Sequence, residues 1–233
     1  MLKYSYILYV KLSHNLLNIN YKFLLDKMPL NLQKSKIFGV RKIFRNEDFS
    51  QPIKIKCGGN MELSEVIKNR RSIRKYKDKD VDDTLINKIV EAGVWAPSAG
   101  NLQGWEVIVV KDHQKKVQLA VACYIREFIS QAPIVLVMCA YKRRSGATYG
   151  DRGRDLYCIQ DAACAAENML LKIHDLGLGA CWNGAFDEDS VSDLLKIPEG
   201  VRPVAVITMG YPDEDPVPPE RLEIEEFIHL EKY

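Results

Sequence analysis

The ten residues APIVLVMCAY, at positions 132–141, are the stretch that decides the fold. They form a mostly apolar run of strand length between polar segments, which predicts a β-strand buried on both faces. The polar, glycine-bearing residues 142–153 predict a mobile loop after it. A long helix is predicted over about 156–176. Its apolar stripe is Ile159, Ala163, Ala166, Leu170 and Ile173.

Shorter helices and strands are predicted before and after residues 132–176. Helices are predicted over residues 62–69, from Asp82 to near Gly93, over 114–123 and after Asp187, which is a suitable N-cap. Strands are predicted over 105–110, 180–186 and 204–211. Because helices and strands intermix, the fold class is α+β, with one mixed β-sheet flanked by helices.

The composition of the 233-residue chain excludes several classes of protein. Apolar residues make up 47% and charged residues 27%, as in ordinary globular domains. The formal net charge of +2 gives no reason to expect a nucleic acid as partner, and no apolar run approaches the ~20 residues of a membrane span.

None of the six cysteines forms a Cys-x-x-Cys pair, so no metal site is predicted. They stand mostly in apolar segments, which is typical of reduced thiols in a cytoplasmic protein.

Residues 1–60 differ from the rest of the chain. They hold eleven basic and three acidic residues, net +8, whereas residues 61–233 hold 22 basic and 28 acidic residues, net −6. They contain no Ala, while the remainder contains fifteen. The domain assignment is therefore a non-conforming basic segment at 1–60 and a folded domain at 61–233.

Three interpretations of the basic segment are open. It could be a targeting segment, although the apolar run 6–10 is short and no small-residue cleavage site follows it. It could be a basic arm for nucleic acid or membrane. The favoured interpretation is upstream DNA translated from a wrongly assigned start, with Met61 as the true start.

The strongest local motif is Arg70-Arg71-Ser72-Ile73-Arg74. Guanidinium groups bind phosphate oxygens in a fork, and a serine hydroxyl adds a small donor. The motif therefore suggests an oxyanion site. A solvated charged loop after a helix is the alternative for any such cluster.

Two further motifs combine small residues with polar ones. The first is WAPSAGNLQG at 95–104, where small side chains let a flat ligand approach the backbone and Ser, Asn and Gln can bind its polar edge. The second is WNGAFD at 182–187, where a Gly-Ala pair at a strand end exposes backbone N–H groups. Taken singly, each is equally compatible with an ordinary turn.

In combination, these motifs resemble those of the FMN-dependent nitroreductase family. The matching text is RRSIR at 70–74, APSAGNLQ at 96–103, GLGACWNGAFD at 177–187 and ITMGYP at 207–212. Order, spacing and length agree from residue 61 to about 229. The resemblance covers none of the first sixty residues.

The resemblance implies a homodimer, built in the manner of a domain swap, with two FMN molecules at the subunit interface. One subunit would hold the phosphate and the polar edge of the ring, and the other would approach the same flavin. The implied cofactor-binding residues are Arg70, Arg71, Ser72 and Arg74 from one subunit, Pro97, Ser98, Ala99, Asn101 and Gln103 from the other, the Gly184 and Ala185 backbone beside flavin N5, and Arg221 as a C-terminal candidate for the phosphate.

The implied activity is hydride transfer from NAD(P)H through the flavin to a nitroaromatic, a quinone or a similar small-molecule acceptor, with ping-pong kinetics. No catalytic side chain is required, because the flavin carries the chemistry. Within the same fold, dehalogenation, flavin breakdown or oxidation of a modified peptide is an alternative, decided by a substrate loop around 124–155. A non-catalytic flavin-binding protein is another.

Overall fold

A computed structural model describes residues 61–233. The predictions for residues 1–60, including the start at Met61, lie outside the described residues and stay predictions.

Helices cover both faces of a central sheet. Two of the predicted caps are present, because the Asp82 carboxylate accepts the N–H of Thr84 and the Asp187 carboxylate accepts the N–H of Ser190. The helices are α1 Leu63–Asn69, α2 Asp83–Val94, α3 His113–Ala122, α4 Glu127–Gln131, α5 Lys142–Arg152, α6 Cys158–Asp175 and α7 Glu188–Leu195, with a π-helical turn at Gly153–Tyr157 and 3₁₀ turns at Ala99–Asn101 and Ile224–Glu226.

The sheet has four strands in the order β1-β2-β4-β3. They are β1 Trp105–Val110, β2 Ile134–Tyr141, β3 Gly179–Asn183 and β4 Val201–Gly210. All three strand pairs are antiparallel, and the sheet is mixed only through a single parallel bridge between Ser72 and Ala180. Strands β1 and β3 therefore form opposite edges.

Strand β2 is buried on both faces, as its sequence predicts. Ile134, Leu136 and Met138 belong to the core that contains α2 and α6, whereas Val135 and Val137 belong to the core that contains α3, α4 and α7. The domain thus has three layers, helix on sheet on helix, and confirms the predicted α+β class.

Residues 142–153 are not the loop that their polarity predicts. They form α5 and enter the π-helical turn, with a kink at Gly150 where φ is 58° and ψ −139°. Polar composition was misleading here because most side chains of α5 face solvent, while Ser145 and Gly146 are buried. A solvated helix carries few apolar residues from which to detect a helical period.

Two smaller predictions also need correction. Strand β3 ends at Asn183 rather than at 186, since Gly184 and Ala185 leave the sheet. In α6 the buried face carries Ala162, Ala165 and Ala166, while Ala163 is exposed. The predicted stripe was therefore rotated slightly away from the true core face. No helix among residues 61–233 is long and apolar enough to cross a membrane.

Candidate functional site

The arginine segment, residues 70–74, follows α1 and lies along the edge strand β3. The N–H of Ile73 donates to the carbonyl of Ala180 at 2.9 Å, beside the parallel bridge of Ser72. A Cβ added to Gly179 would lie 2.6 Å from Cγ1 of Ile73, so glycine is required there for close approach. The backbone of this segment is thus fixed to the sheet at Ser72 and Ile73.

The guanidinium groups of the segment differ in how they are held. Arg71 Nη1 donates to the carbonyls of Lys68 and Arg70, both at 2.7 Å. Arg70 Nε is buried and has no hydrogen-bond partner among the described residues, and the nearest carboxylate oxygen, on Glu167, is 3.9 Å away. The Arg70 side chain as a whole is 26% exposed, and guanidinium groups bind anionic oxygens through charge-assisted hydrogen bonds.

The C-terminal tail meets the end of the arginine segment. One carboxylate oxygen of Glu214 accepts the N–H groups of both Arg74 and Lys75. Arg221, the C-terminal candidate, is exposed farther along the tail, and no hydrogen bond among residues 61–233 joins it to the arginine segment. Its assignment to the phosphate therefore stays a prediction.

The small-residue loop, residues 97–104, has an unusual backbone. Gly100, Asn101 and Gln103 adopt φ values of 57°, 56° and 51°, in the left-handed region. For residues other than glycine this conformation costs about 1–2 kcal/mol each, so surrounding contacts must enforce it. One internal contact is the Ser98 hydroxyl, which accepts the N–H of Gln103 at 3.0 Å.

A buried carboxylate that the sequence motifs do not include supports this loop. Asp161 on α6 is only 4% exposed, and its two oxygens accept the N–H groups of Ala99 at 3.0 Å and of Gly104 at 3.2 Å. An acidic residue on the otherwise apolar and alanine-rich face of the long helix is the signal that could have revealed it.

The third motif lies at the end of β3. Asn183 is buried, and its Nδ2 donates to the carbonyl of Ala185 at 3.2 Å, which shapes the strand-end turn at 184–185. A Cβ added to Gly184 would have 3.5 Å to Trp182 Nε1 as its nearest contact, so packing within the chain does not require glycine there. Gly184 and Ala185 are both exposed, which leaves their backbone open to a ligand.

The structure brings two of the three motifs together and separates the third. The arginine segment and the strand-end turn both flank β3, whereas the small-residue loop leads directly into β1 at the opposite edge. Three strand spacings of ~4.8 Å put about 14 Å between these edges. One chain therefore places the arginine segment and the strand-end turn at one edge of the sheet, and the small-residue loop directly before the strand at the opposite edge.

Comparison with known families identifies the family of the chain. The Nitroreductase family model matches residues 67–124 and 120–211, a region that includes the arginine segment, the small-residue loop and the strand-end turn. The chain belongs to the nitroreductase family. The predicted family and fold are thereby confirmed.

Relatives in this family are named as reductases. A Methanothermobacter thermautotrophicus protein, provisionally named NADH dehydrogenase/NAD(P)H nitroreductase, is 36% identical over 180 residues, which cover 74% of this chain and 88% of the relative. The structure of Bacillus megaterium NfrA2 matches with a TM-score of 0.69 and 30% identity, covering 74% of this chain and 76% of that one. The Vibrio harveyi NADPH:FMN oxidoreductase, solved with NAD⁺, matches with a TM-score of 0.68 and 28% identity, covering 73% and 77%.

Proposed function

We propose that this nitroreductase-family protein is an FMN-dependent oxidoreductase that passes hydride from NAD(P)H to a nitroaromatic, a quinone or a similar small-molecule acceptor. When bound, FMN supplies the redox chemistry through its N5 atom. The residues of the chain bind the flavin, orient it and set its electrostatic surroundings. No side chain is assigned as a general base.

The observation that carries this proposal is the cluster of three arginines at 70–74, in which Arg70 Nε has no hydrogen-bond partner among residues 61–233 and lies 3.9 Å from a Glu167 oxygen. A phosphate oxygen would bind the guanidinium group of Arg70, whose side chain is 26% exposed, through a charge-assisted hydrogen bond. Arg71, Ser72 and Arg74 are assigned to the same anion and to the polar edge of the ring. Cationic groups at that edge stabilise negative charge that develops on a reduced ring.

The strand-end turn fits a flat ligand. Gly184 has room for a side chain within its own chain and has no left-handed backbone that would demand glycine. A ligand lying directly against the backbone would supply the reason for its small size. The Gly184 and Ala185 backbone is accordingly placed beside the reactive edge of the flavin.

The separation of the motifs supports the proposal that a second subunit completes the site. The small-residue loop leads into β1, and about 14 Å, three strand spacings, separates β1 from the edge strand that the arginine segment contacts. In a symmetric homodimer, the loop of one copy can meet the arginine segment of the other, twice. Pro97, Ser98, Ala99, Asn101 and Gln103 are therefore assigned to the flavin held by the partner subunit.

Absorption spectroscopy and steady-state kinetics test the proposed function. The purified full chain should be yellow, release FMN on denaturation, and oxidise NADH or NADPH when menadione or nitrofurazone is added. A colourless protein that cannot be reconstituted with FMN would overturn the proposal. A yellow protein that turns over neither acceptor would favour the alternatives instead: a same-fold flavin enzyme of other chemistry, or a non-catalytic flavin-binding protein.

Kinetics test the shared binding face. If donor and acceptor use the same face of the flavin in turn, double-reciprocal plots should give parallel lines. Intersecting lines would show that both substrates bind together.

Cysteine chemistry should play no part in flavin reduction, because burial raises the pKa of the Cys181 thiol and keeps it protonated at neutral pH. Cys181→Ala should therefore leave flavin reduction largely intact.

A further inference from the structure

We propose that Asp161 is a positioning residue that fixes the small-residue loop in the shape that receives the flavin ring; this inference rests on the proposed function. Neither the sequence motifs nor the resemblance to the family pointed to Asp161. It does not touch the ligand in this account. It acts through two backbone amides of the loop.

The geometry of the contact supports this role. Asp161 Oδ1 accepts the N–H of Ala99 at 3.0 Å, and Oδ2 accepts the N–H of Gly104 at 3.2 Å. The two amides lie near the two ends of the loop, so one carboxylate fixes the distance between them. Between these points lie Gly100, Asn101 and Gln103, all in the left-handed conformation. Such a backbone conformation persists only where surrounding contacts hold it in place.

The surroundings of Asp161 indicate that its carboxylate is stabilised mainly by the two loop amides. The residue is 4% exposed, and no cation lies within ion-pair distance of it among residues 61–233. A buried carboxylate without a counter-ion must be stabilised by N–H donors. The donors that the structure provides are the two loop amides. Removing the carboxylate would in turn leave the buried Gly104 amide and the half-buried Ala99 amide without this acceptor.

There is no room for a larger residue at position 104 beside the Asp161 carboxylate. A Cβ added to Gly104 would lie 2.9 Å from Asp161 Oδ2 and still closer to the Ser145 hydroxyl. Ser145 is fully buried in the same wall, yet its Oγ makes no hydrogen bond among the described residues. Ser145 is therefore a matched control: it shares the location of Asp161 but does not hold the loop.

Amide hydrogen exchange in the FMN-free, full-length protein tests the contact without any flavin. Asparagine presents one acceptor and one donor, so in Asp161→Asn at least one of the Ala99 and Gly104 amides loses its acceptor. That amide should exchange at least about tenfold faster than in the wild type, while Ser145→Ala leaves both unchanged. Unchanged protection of both amides in Asp161→Asn, or equal loss in Ser145→Ala, would overturn the proposal.

Flavin titration tests the consequence. Asp161→Asn should weaken binding of FMN and of riboflavin by the same factor, about tenfold or more, because the loop meets the ring that the two ligands share. Arg70→Ala should instead weaken FMN far more than riboflavin, which lacks the phosphate. Wild-type affinity of Asp161→Asn for both ligands would overturn the positioning role.

A second variant covers the case in which Asp161→Asn does not fold. Gly104→Ala disturbs the same contact from the side of the loop and leaves the carboxylate in place. It should weaken FMN and riboflavin equally, and wild-type affinity would count against the proposal. A wild-type chain that binds no flavin would overturn the proposed function alone, since the exchange measurement still decides whether Asp161 fixes the loop.

Discussion

The arginine segment and the small-residue loop offer a ligand different kinds of contact. Residues 70–74 are fixed to β3 through their backbone, and Arg70 Nε has no hydrogen-bond partner in the part of the chain that the structure describes. Residues 97–104 carry mostly short side chains, and Asp161 holds a backbone in which three residues are left-handed. The first region offers charge on long side chains, and the second offers a shaped backbone surface.

This difference indicates that the two regions recognise different parts of one ligand. Charge on flexible side chains suits a phosphate, which can be approached from many directions. A rigid backbone with small side chains suits a flat ring, which needs close approach over a defined area. Substitutions in the two regions should therefore affect different ligands.

The largest expected effect is in the arginine segment. Arg70→Ala and Arg74→Ala should each reduce FMN affinity by about 1.5–3 kcal/mol, the range for a hydrogen bond to a charged group. Lys75→Ala, which removes a neighbouring exposed charge outside the assigned set, is the matched control and should bind FMN as the wild type does. Fluorescence titration with FMN measures all three. Wild-type affinity in both arginine variants would refute the phosphate assignment.

A smaller effect on stability is expected in the small-residue loop. Gly100→Ala places a Cβ at a left-handed position and against the Tyr149 hydroxyl, so the free energy of unfolding should fall by about 1–2 kcal/mol. Flavin affinity should fall as well, equally for FMN and riboflavin. Chemical denaturation and the two titrations measure this. Unaltered stability together with unaltered riboflavin binding would show that the loop is not the shaped surface described above.

Gly184→Ala separates binding from stability. Because the nearest contact of the added Cβ would be 3.5 Å away, the free energy of unfolding should change by less than about 0.5 kcal/mol. Affinity for both flavins should nevertheless fall several-fold, since the methyl group would stand between the ring and the backbone. Equal affinity in the variant and the wild type would remove the strand-end turn from the site.

The pH dependence of stability probes the surroundings of the arginine segment. Burial, together with nearby Arg70 and Arg71, lowers the pKa of His174. The unfolded chain then binds this proton more readily than the folded chain, so the free energy of unfolding should decrease as the pH falls below about 6.5. His174→Gln should show a smaller decrease in thermal melts between pH 5 and pH 8. If the wild type and His174→Gln lost stability equally between pH 8 and pH 5, the pKa of His174 would not be lowered as described.

The smallest effect is expected from removing residues 1–60. A chain that starts at Met61 should fold, dimerise and bind FMN as the full chain does, because the arginine segment and the small-residue loop both lie in residues 61–233. Thermal melts and FMN titration of the two chains measure this. A fall of more than a few degrees in the melting temperature, or release of flavin, would show that the basic segment belongs to the working protein. Intact-mass analysis of protein from the native host would show independently where translation begins.

The sequence was sufficient for the features that local chemistry determines. Asp82 and Asp187 are side-chain caps, and the alternating contacts of β2 follow from an unbroken apolar run. The motifs themselves were visible because each concentrates one chemical type within a few residues.

Features that depend on tertiary contacts could not be predicted in the same way. Helix α5 has a polar sequence, and its burial at Ser145 arises only when it packs beside Gly104. Asp161 is 57 residues from Gly104 in the chain, so no local pattern joins them. The sheet order that puts β1 and β3 at opposite edges is likewise a property of the folded chain.

The central claim is that each flavin site combines the arginine segment of one subunit with the small-residue loop of the other. Complementation tests it directly. One copy carries Arg70→Ala and Arg74→Ala together, and the other carries Ala99→Trp, which places a bulky side chain where the ring would lie. Each variant alone should bind little FMN.

Mixed after unfolding and refolding in equal amounts, the two variants should form heterodimers in which one site has both an intact arginine segment and an intact loop. Random pairing would restore about a quarter of the wild-type sites. Stoichiometric FMN titration of the mixture measures that fraction. Recovery near one quarter is the result predicted here, whereas no recovery from a mixture shown to contain heterodimers would place each site within a single chain and contradict the account.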